Sequence, residues 1–503
     1  MEKNTQSDQP NIILIQADQM ASFVLPFCNP AGQAITPNLS KLAEEGVLLN
    51  NAYSNSPLCC PARACMFTGL QPSSTEVWGN GSEFRSSLPT MMHYLRHAGY
   101  RSVVSGKTHF IGADQLHGFD KRLTTDMYPS DFSWSIDWKP NVEHRIGTSV
   151  KKLEVSGLCR TNNQILFDTE VQYRTIEYLR YEAMEPKESP FFLHVSFTQP
   201  HEAYQSVPKF WDQYENVDIE LPSQSEDTED DMHPVTRWLK IHHGIDQHPP
   251  SKETVRDSRR AYYAMITQID EYVGEIVTEL KTMDLYDDTV IIFTSDHGDM
   301  MGERGMWYKR TFYEGSVKVP MIVHNPKRYT PKKTDAIVSL ADLCPTLADM
   351  GGNGKEAIRY GKNESHSFLG VIKGESSEWK DEAIMEYFGP GVEEPWLCIR
   401  KGPYKYVYTR NHDPLLFNVV EDPSETVNLC NEEEHLERVG ALHSALMRDI
   451  NIEATTEKAA ESKQTRLFLH DALKGSEGYH WDYDPDFDAT KRYVRGPNMP
   501  STV

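Results

Sequence analysis

Cys59-Cys60-Pro61-Ala62-Arg63 brings a thiol, a proline and a cation together within one short run. Only Cys59 has proline two positions on and arginine four positions on; Cys60 has Ala62 at the first of these places. A spacing of four is about one helical turn, so Cys59 and Arg63 can address the same anionic group from one face. The plainer reading of the same run is a turn with a buried thiol. Lys107 and His109 stand two apart in Gly106-Lys107-Thr108-His109, and in an extended segment that spacing points both to one side. Asp18, Asp296 and His297 offer the carboxylate and imidazole donors that suit a hard divalent cation such as Ca2+, Mg2+ or Mn2+. Taken singly, Asp18 is also an ordinary strand-end turn former, and Asp296-His297 an ordinary polar loop. His201 and Lys309 add two groups able to carry a proton. Imidazole ordinarily titrates near neutrality, which makes His201 the better general acid of the two.

Most of these residues stand just past short apolar runs. Asn11 to Ala17 reads as a buried strand ending on Asp18, and Arg101 to Ser105 as one leading into Lys107. Phe191 to Phe197 leads to Gln199-Pro200-His201, and Thr289 to Thr294 to Ser295-Asp296-His297; Val319 to Val323 reads as the next strand. Thr36 to Gly46 reads as a helix with Thr36 as N-cap and Pro37 first, and Met91 to Gly99 as another. Tyr262, Ile266, Ile269, Val273, Ile276 and Leu280 mark one face of a long amphipathic helix. Strands alternating with helices predict an α/β fold with a mostly parallel central sheet flanked by helices, and such a sheet carries its ligands at the carboxyl ends of the strands.

Beyond about residue 375 the texture changes. Glu382 to Phe388, Trp396 to Arg400, Tyr404 to Tyr408 and Leu415 to Val419 read as antiparallel strands, with a helix from about Glu433 to Ile450 packed on them. The expected division is a catalytic domain over 1–375, a smaller α+β subdomain over 376–462 and an extended tail over 463–503. Ser223 to Asp231 reads as a solvated acidic loop, and His242, His243 and His248 as chance enrichment near it.

A chain of 503 residues exceeds one ordinary core. Its net charge of −23 argues against non-specific nucleic-acid binding, which needs basic patches. Met1 to Pro10 is polar and does not read as a secretory signal, and no stretch has eighteen consecutive apolar residues, so no membrane span is expected. Eight cysteines lie scattered without paired zinc-type spacing, which with no export signal fits reduced thiols in the cytoplasm.

The motif at Cys59, continued by Ala64-Cys65-Met66-Phe67-Thr68-Gly69, resembles the signature of the type I sulfatases of the alkaline phosphatase superfamily, and the similarity runs nearly the whole length. The resemblance implies that Cys59 is oxidised by a formylglycine-generating or equivalent maturation enzyme. The aldehyde hydrates to a diol, one oxygen of which attacks a sulfate ester while the other later expels sulfate, so that one hard step becomes two easier ones. It further implies a single divalent ion held by Asp18, Gln19, residue 59, Asp296 and His297. Lys107 then binds sulfate, His109 takes the diol proton, and His201 and Lys309 serve the leaving group.

Leu116-His117-Gly118-Phe119, Arg122 to Pro129, Asp131-Phe132-Ser133-Trp134, His480 to Tyr483 and Arg492 to Arg495 are similar to the choline sulfatase subgroup. That likeness implies a small alkyl sulfate, choline sulfate or a relative, as substrate, and a tail that crosses to a neighbouring subunit in a homodimer or homotetramer. Asn80, Trp134, Arg145, Trp481, Tyr483 and Asp484 are the candidates for substrate binding; the tail aromatics either form a cage for a quaternary ammonium with nearby carboxylates or pack a subunit interface. Gln19 and His297 stand where arylsulfatases usually carry aspartate and asparagine, and Ala62 where serine is commoner. Arg145 would repel choline, and Phe388 to Glu394 does not match the subgroup. A phosphonate monoester hydrolase or phosphodiesterase, a carbohydrate sulfatase, and a binding protein without activity are the alternative readings.

Overall fold

The computed structural model describes residues 9–137, 149–223, 232–474 and 481–483, apart from 361, 363 and 376–378. Runs of β-branched and aromatic residues set its central layer. These are β1 (Asn11–Ala17), β2 (Val47–Tyr53), β3 (Arg101–Gly106), β4 (Lys121–Arg122), β5 (Gly157–Leu158), β6 (Phe191–Ser196), β7 (Gln205–Ser206), β8 (Thr289–Ser295), β9 (Lys318–Val319), β10 (Met321–His324) and β11 (Lys332–Ser339). One nine-stranded sheet has the order β11-β2-β10-β8-β1-β6-β3-β4 with β9 beside β2, while β5 and β7 pair separately.

Register decides where the chemistry falls. β1 runs parallel to both neighbours, with Gln16 opposite Ser196 on one side and opposite Thr294 on the other. Gly106 of β3 is in turn opposite Ser196. Four parallel strands therefore release the chain at one edge, side by side, as an open α/β sheet requires of its ligand site. At Gly106 the chain turns with φ +107°, and a Cβ there would lie 2.0 Å from the Ser196 carbonyl oxygen, so only glycine permits the exit toward Lys107.

The expected strand Val319 to Val323 is split at Pro320 into β9 and β10, since proline supplies no N–H to the ladder. β10 runs antiparallel to both β2 and β8. Pro37 opens the first long helix, Pro37–Glu45, but the Thr36 side chain makes no capping bond. The Asp270 carboxylate accepts the N–H groups of Asn38 and Leu39 instead, at 3.1 and 2.7 Å. The helix Lys252–Thr282 buries the whole Tyr262-to-Leu280 stripe against the sheet.

The C-terminal sheet is the antiparallel meander β12 (Glu382–Tyr387), β13 (Trp396–Lys401), β14 (Tyr404–Thr409) and β15 (Leu415–Asn418), covered by the helix Leu436–Leu446. Buried Lys405 ties this sheet to the larger part of the chain by pairing with Glu314 and donating to the Phe312 carbonyl oxygen, and it pairs with Glu425 of its own part as well. A helix over Ile452–Leu473 runs unbroken across the expected start of the tail at residue 463. His242 and His243, expected as chance enrichment near the acidic loop, are fully buried on the helix Pro234–His243 and belong to the packed interior. Residues 224–231 of the expected acidic loop lie outside the described residues. Among the described residues no helix is long and apolar enough to cross a membrane.

Candidate active site

The helix Cys59–Thr68 is buried along its entire length and closes at Gly69 with φ +74°. Its first turn points into the carboxyl edge of the sheet. There Cys59 Sγ lies 3.8 Å from Asp18 Oδ1, 3.3 Å from His297 Nε2 and 3.5 Å from Lys309 Nζ. Arg63, one turn on, does not point outward with it. Its guanidinium is spread between Asp296 Oδ2 (3.0 Å), Asp18 Oδ2 (3.2 Å), Ser196 Oγ (2.9 Å) and the Lys107 carbonyl oxygen (2.8 Å). Arg63 thus holds the two acidic strand ends together, and Lys107 adds its ammonium to the same Asp18 oxygen.

The donor atoms of Asp18, Cys59, Asp296 and His297 all lie within 4.8 Å of one another and are buried. The Nδ1–H of His297 donates to the Gly298 carbonyl oxygen at 2.9 Å, leaving Nε2 with its lone pair toward Cys59. Two carboxylates and a neutral imidazole converging on one point are a fit for a single hard divalent ion. Gln19 stands beside them with φ +67°. Its amide oxygen accepts from Lys309, and its Nε2 donates to Glu202 at 2.9 Å and also to Asp299. Its side chain therefore orients Lys309.

Charge in the pocket is tightly compensated. Burial pushes the Asp18 carboxyl up, but Lys107, His201, Arg63 and Lys309 together hold it well below the usual carboxylate range. Burial disfavours a charged Lys107, yet Asp18 beside it keeps that ammonium well above its ordinary value. Burial and Asp18 push the Cys59 thiol up, Lys107 and Lys309 push it down, and the balance lies below the usual thiol value. Burial and then Lys107 hold His109 well below the ordinary imidazole value, which keeps it neutral.

His109 is brought in differently from the extended spacing expected. It has φ +57°, and its ring stacks on Tyr128 at 4.3 Å between centroids. Both ring nitrogens are buried without a partner among the described residues. Asp126 fixes this loop by accepting the N–H groups of Thr108 (2.8 Å) and His109 (2.9 Å). A second buried carboxylate, Asp168, accepts the N–H groups of Thr198 (2.7 Å) and Gln199 (2.9 Å) and fixes the loop that carries His201. His201 faces Lys309 through Nε2 at 3.0 Å and Glu202 through Nδ1 at 3.2 Å.

Beyond Lys309 lies a cavity of about 100 Å3 lined by Asn80, Trp134, His201, Lys309 and Arg310, among others. Asn80 also accepts the Cys60 N–H at 3.1 Å. Trp481 and Tyr483 do not line this space. Trp481 packs edge-on to Phe132 at 5.4 Å, and the Tyr483 ring lies 5.7 Å from the Arg122 guanidinium. Arg145 and Asp484 lie outside the described residues. The site residues that sequence reasoning missed are Asp126, Asp168, Glu202, Asp299 and Arg310. Asp126 sits in the Arg122-to-Pro129 run, and Glu202, Asp299 and Arg310 lie within two residues of recognised groups, whereas Asp168 has no local signal.

Compared with known proteins, the chain matches the family model Sulfatase over residues 10–353. It also matches the models for the C-terminal part of N-sulphoglucosamine sulphohydrolase over 302–451 and the choline sulfatase enzyme C terminal over 457–499. It is 37% identical to a choline-sulfatase of Rhizobium meliloti, covering 97% of this chain and 96% of that one. It is 27% identical to an arylsulfatase of Clostridium perfringens, covering 88% and 94%. In fold it is similar to a phosphonate monoester hydrolase from Silicibacter pomeroyi, with a TM-score of 0.69 at 21% identity, over 88% of this chain and 95% of that one.

Proposed function

This chain belongs to the sulfatase family and hydrolyses sulfate esters, and on that premise we propose that Cys59 matures to formylglycine and that the substrate is a small alkyl sulfate, in the class that includes choline sulfate. The observation that carries this reading is the position of Cys59 Sγ, within 3.8 Å of Asp18, His297 and Lys309. In this structure the sulfur marks the place of the aldehyde-derived oxygens. Formylglycine, once formed and hydrated, supplies a diol oxygen as nucleophile, and a divalent ion held by Asp18, Asp296 and His297 supplies positive charge beside it.

The remaining work falls to the chain's own side chains. Lys107 and Lys309 present fixed positive charge where a sulfate group adds negative charge during transfer. His109, neutral and with both ring nitrogens unengaged among the described residues, is placed to accept a proton from a hydroxyl that a hydrated aldehyde at position 59 would carry. The Lys309–His201 pair delivers a proton to the departing alcohol oxygen, with His201 held in place by Glu202. The choice among Ca2+, Mg2+ and Mn2+, maturation by a separate enzyme, cytoplasmic residence, assembly through the C-terminal segment and the division at 375 and 462 belong to the same proposal.

The test is peptide mass spectrometry of the Cys59 segment after co-expression with a formylglycine-generating enzyme, followed by rates on alkyl sulfates, an aryl sulfate and a phosphodiester. The reading expects the aldehyde at position 59 and sulfate release that depends on it. Faster turnover of the phosphodiester than of every sulfate would overturn it.

A further inference from the structure

The leaving-group cavity carries more positive charge than sulfate transfer uses. Lys309 is committed to the reacting end, since its ammonium contacts Gln19, His201 and Cys59. Arg310, the next residue, lines the same cavity and is only 4% exposed. Its Nη1 donates to the Pro390 carbonyl oxygen at 3.3 Å and to His242 Nε2. Its backbone has φ +82°, and its carbonyl oxygen accepts from Trp396 Nε1 at 3.1 Å, so the side chain is anchored from both ends. Nε has no partner among the described residues, and the guanidinium pairs with no carboxylate among them. Nε is thus buried and unpartnered, and Nε with Nη2 is the edge with which arginine binds a carboxylate through two parallel hydrogen bonds.

The other charges facing the cavity point the same way. Lys152 lines it as a further cation, and the one acid there among the described residues, Glu202, is already engaged by Gln19 and His201. A quaternary ammonium needs open aromatic faces. Tyr128, however, has His109 stacked on it and the Lys107 ammonium 4.2 Å from its centroid, which leaves Trp134 and Tyr308 as the further phenol or indole rings lining the cavity.

We propose that Arg310 is a specificity-determining residue that selects sulfate esters whose alcohol carries a carboxylate. This rests on the sulfate-ester reading above and narrows its substrate class. The experiment compares kcat/KM of the matured, metal-loaded enzyme on the sulfate ester of 3-hydroxypropionate, on propyl sulfate and on choline sulfate, with 4-nitrophenyl sulfate as the measure of sulfatase activity itself. The expected order is the ester of the carboxylated alcohol (the anionic ester) first, that of the uncharged alcohol (the neutral one) second and that of the cationic alcohol last. Arg310→Met should lower the ratio of anionic to neutral ester by about ten- to a hundredfold, the effect of losing hydrogen bonds to a charged group, while Arg310→Lys retains part of it. The wild-type ranking decides the matter even if Arg310→Met does not fold, which its melting curve will show. Choline sulfate matching or exceeding the anionic ester, or a ratio unchanged in a folded Arg310→Met, overturns the proposal while sulfatase activity stands. Failure to hydrolyse any sulfate, 4-nitrophenyl sulfate included, overturns the underlying reading with it.

Discussion

Lys309 Nζ lies 3.0 Å from His201 Nε2, across 108 residues of sequence, with Cys59 Sγ 3.5 Å from the same ammonium. On the proposed mechanism these two basic groups form one proton-carrying unit beside the cavity they line. Alkyl alcohols are poor leaving groups and need that proton, whereas nitrophenolate does not. His201→Ala should therefore slow kcat on alkyl sulfates by about 10²-fold or more, the usual scale for a general acid. Its effect on 4-nitrophenyl sulfate should be much smaller. Equal losses on both esters would remove His201 from the acid role.

On the proposed mechanism His109 acts in the second half of the cycle. Its neutral ring, stacked on Tyr128, has two unengaged nitrogens beside the charged cluster. His109→Ala is expected to leave the first transfer largely intact and to stop release. The measurement is a single burst of alcohol with one sulfate retained on the residue-59 peptide by mass spectrometry. Steady turnover without that adduct would refute the assignment.

Arg63 is an internal clamp, bonded to both Asp18 and Asp296 at 3.2 and 3.0 Å in a fully buried setting. Removing one partner of such a network leaves charge without compensation and typically costs about 3–5 kcal/mol. Arg63→Met should lower urea stability on that scale, and metal content measured on the purified protein should fall with it, because the two carboxylates lose their spacing. Native stability in the variant would show that the clamp is not structural.

Glu386, on β12, is buried against Ser73, whose N–H and hydroxyl donate to it at 2.8 and 3.0 Å. Burial pushes its carboxyl up to about 7 from an ordinary value of 4.5, with Glu364 adding to the shift against the Ser73 bonds. Between these values the folded chain keeps a proton that the unfolded chain has lost. The contribution is fully present below the unfolded value and is lost as pH rises through the folded one. Glu386→Gln should flatten the fall in stability from about pH 5 to pH 7, followed by denaturant midpoints across that window. An unchanged slope would show that Glu386 ionises normally.

Much of the site was legible because strand ends are legible. Asp18, Lys107, His201 and Asp296 each follow an apolar run that buries as a parallel strand, and register then places them at one edge. The tail was less legible. Trp481 and Tyr483 have the composition of a cation cage, yet they pack on Phe132 and near Arg122. Composition states what a ring can bind but not which face the fold leaves open. His242 and His243 look like a polar cluster, but a helix with Leu239 and Trp238 buries them together.

By itself the sequence pointed to Cys59, to Asp18, Asp296 and His297 as the donors beside it, and to the strands that deliver them, since these follow from residue type and local periodicity. Only the tertiary structure decided that Arg63 clamps carboxylates, that Gln19 turns to Lys309, and that Arg310 lines the cavity with its Nε unpartnered among the described residues. Those roles depend on hydrogen bonds between groups far apart in the chain, and such pairings are fixed by packing and register, for which no short stretch of sequence carries a signal.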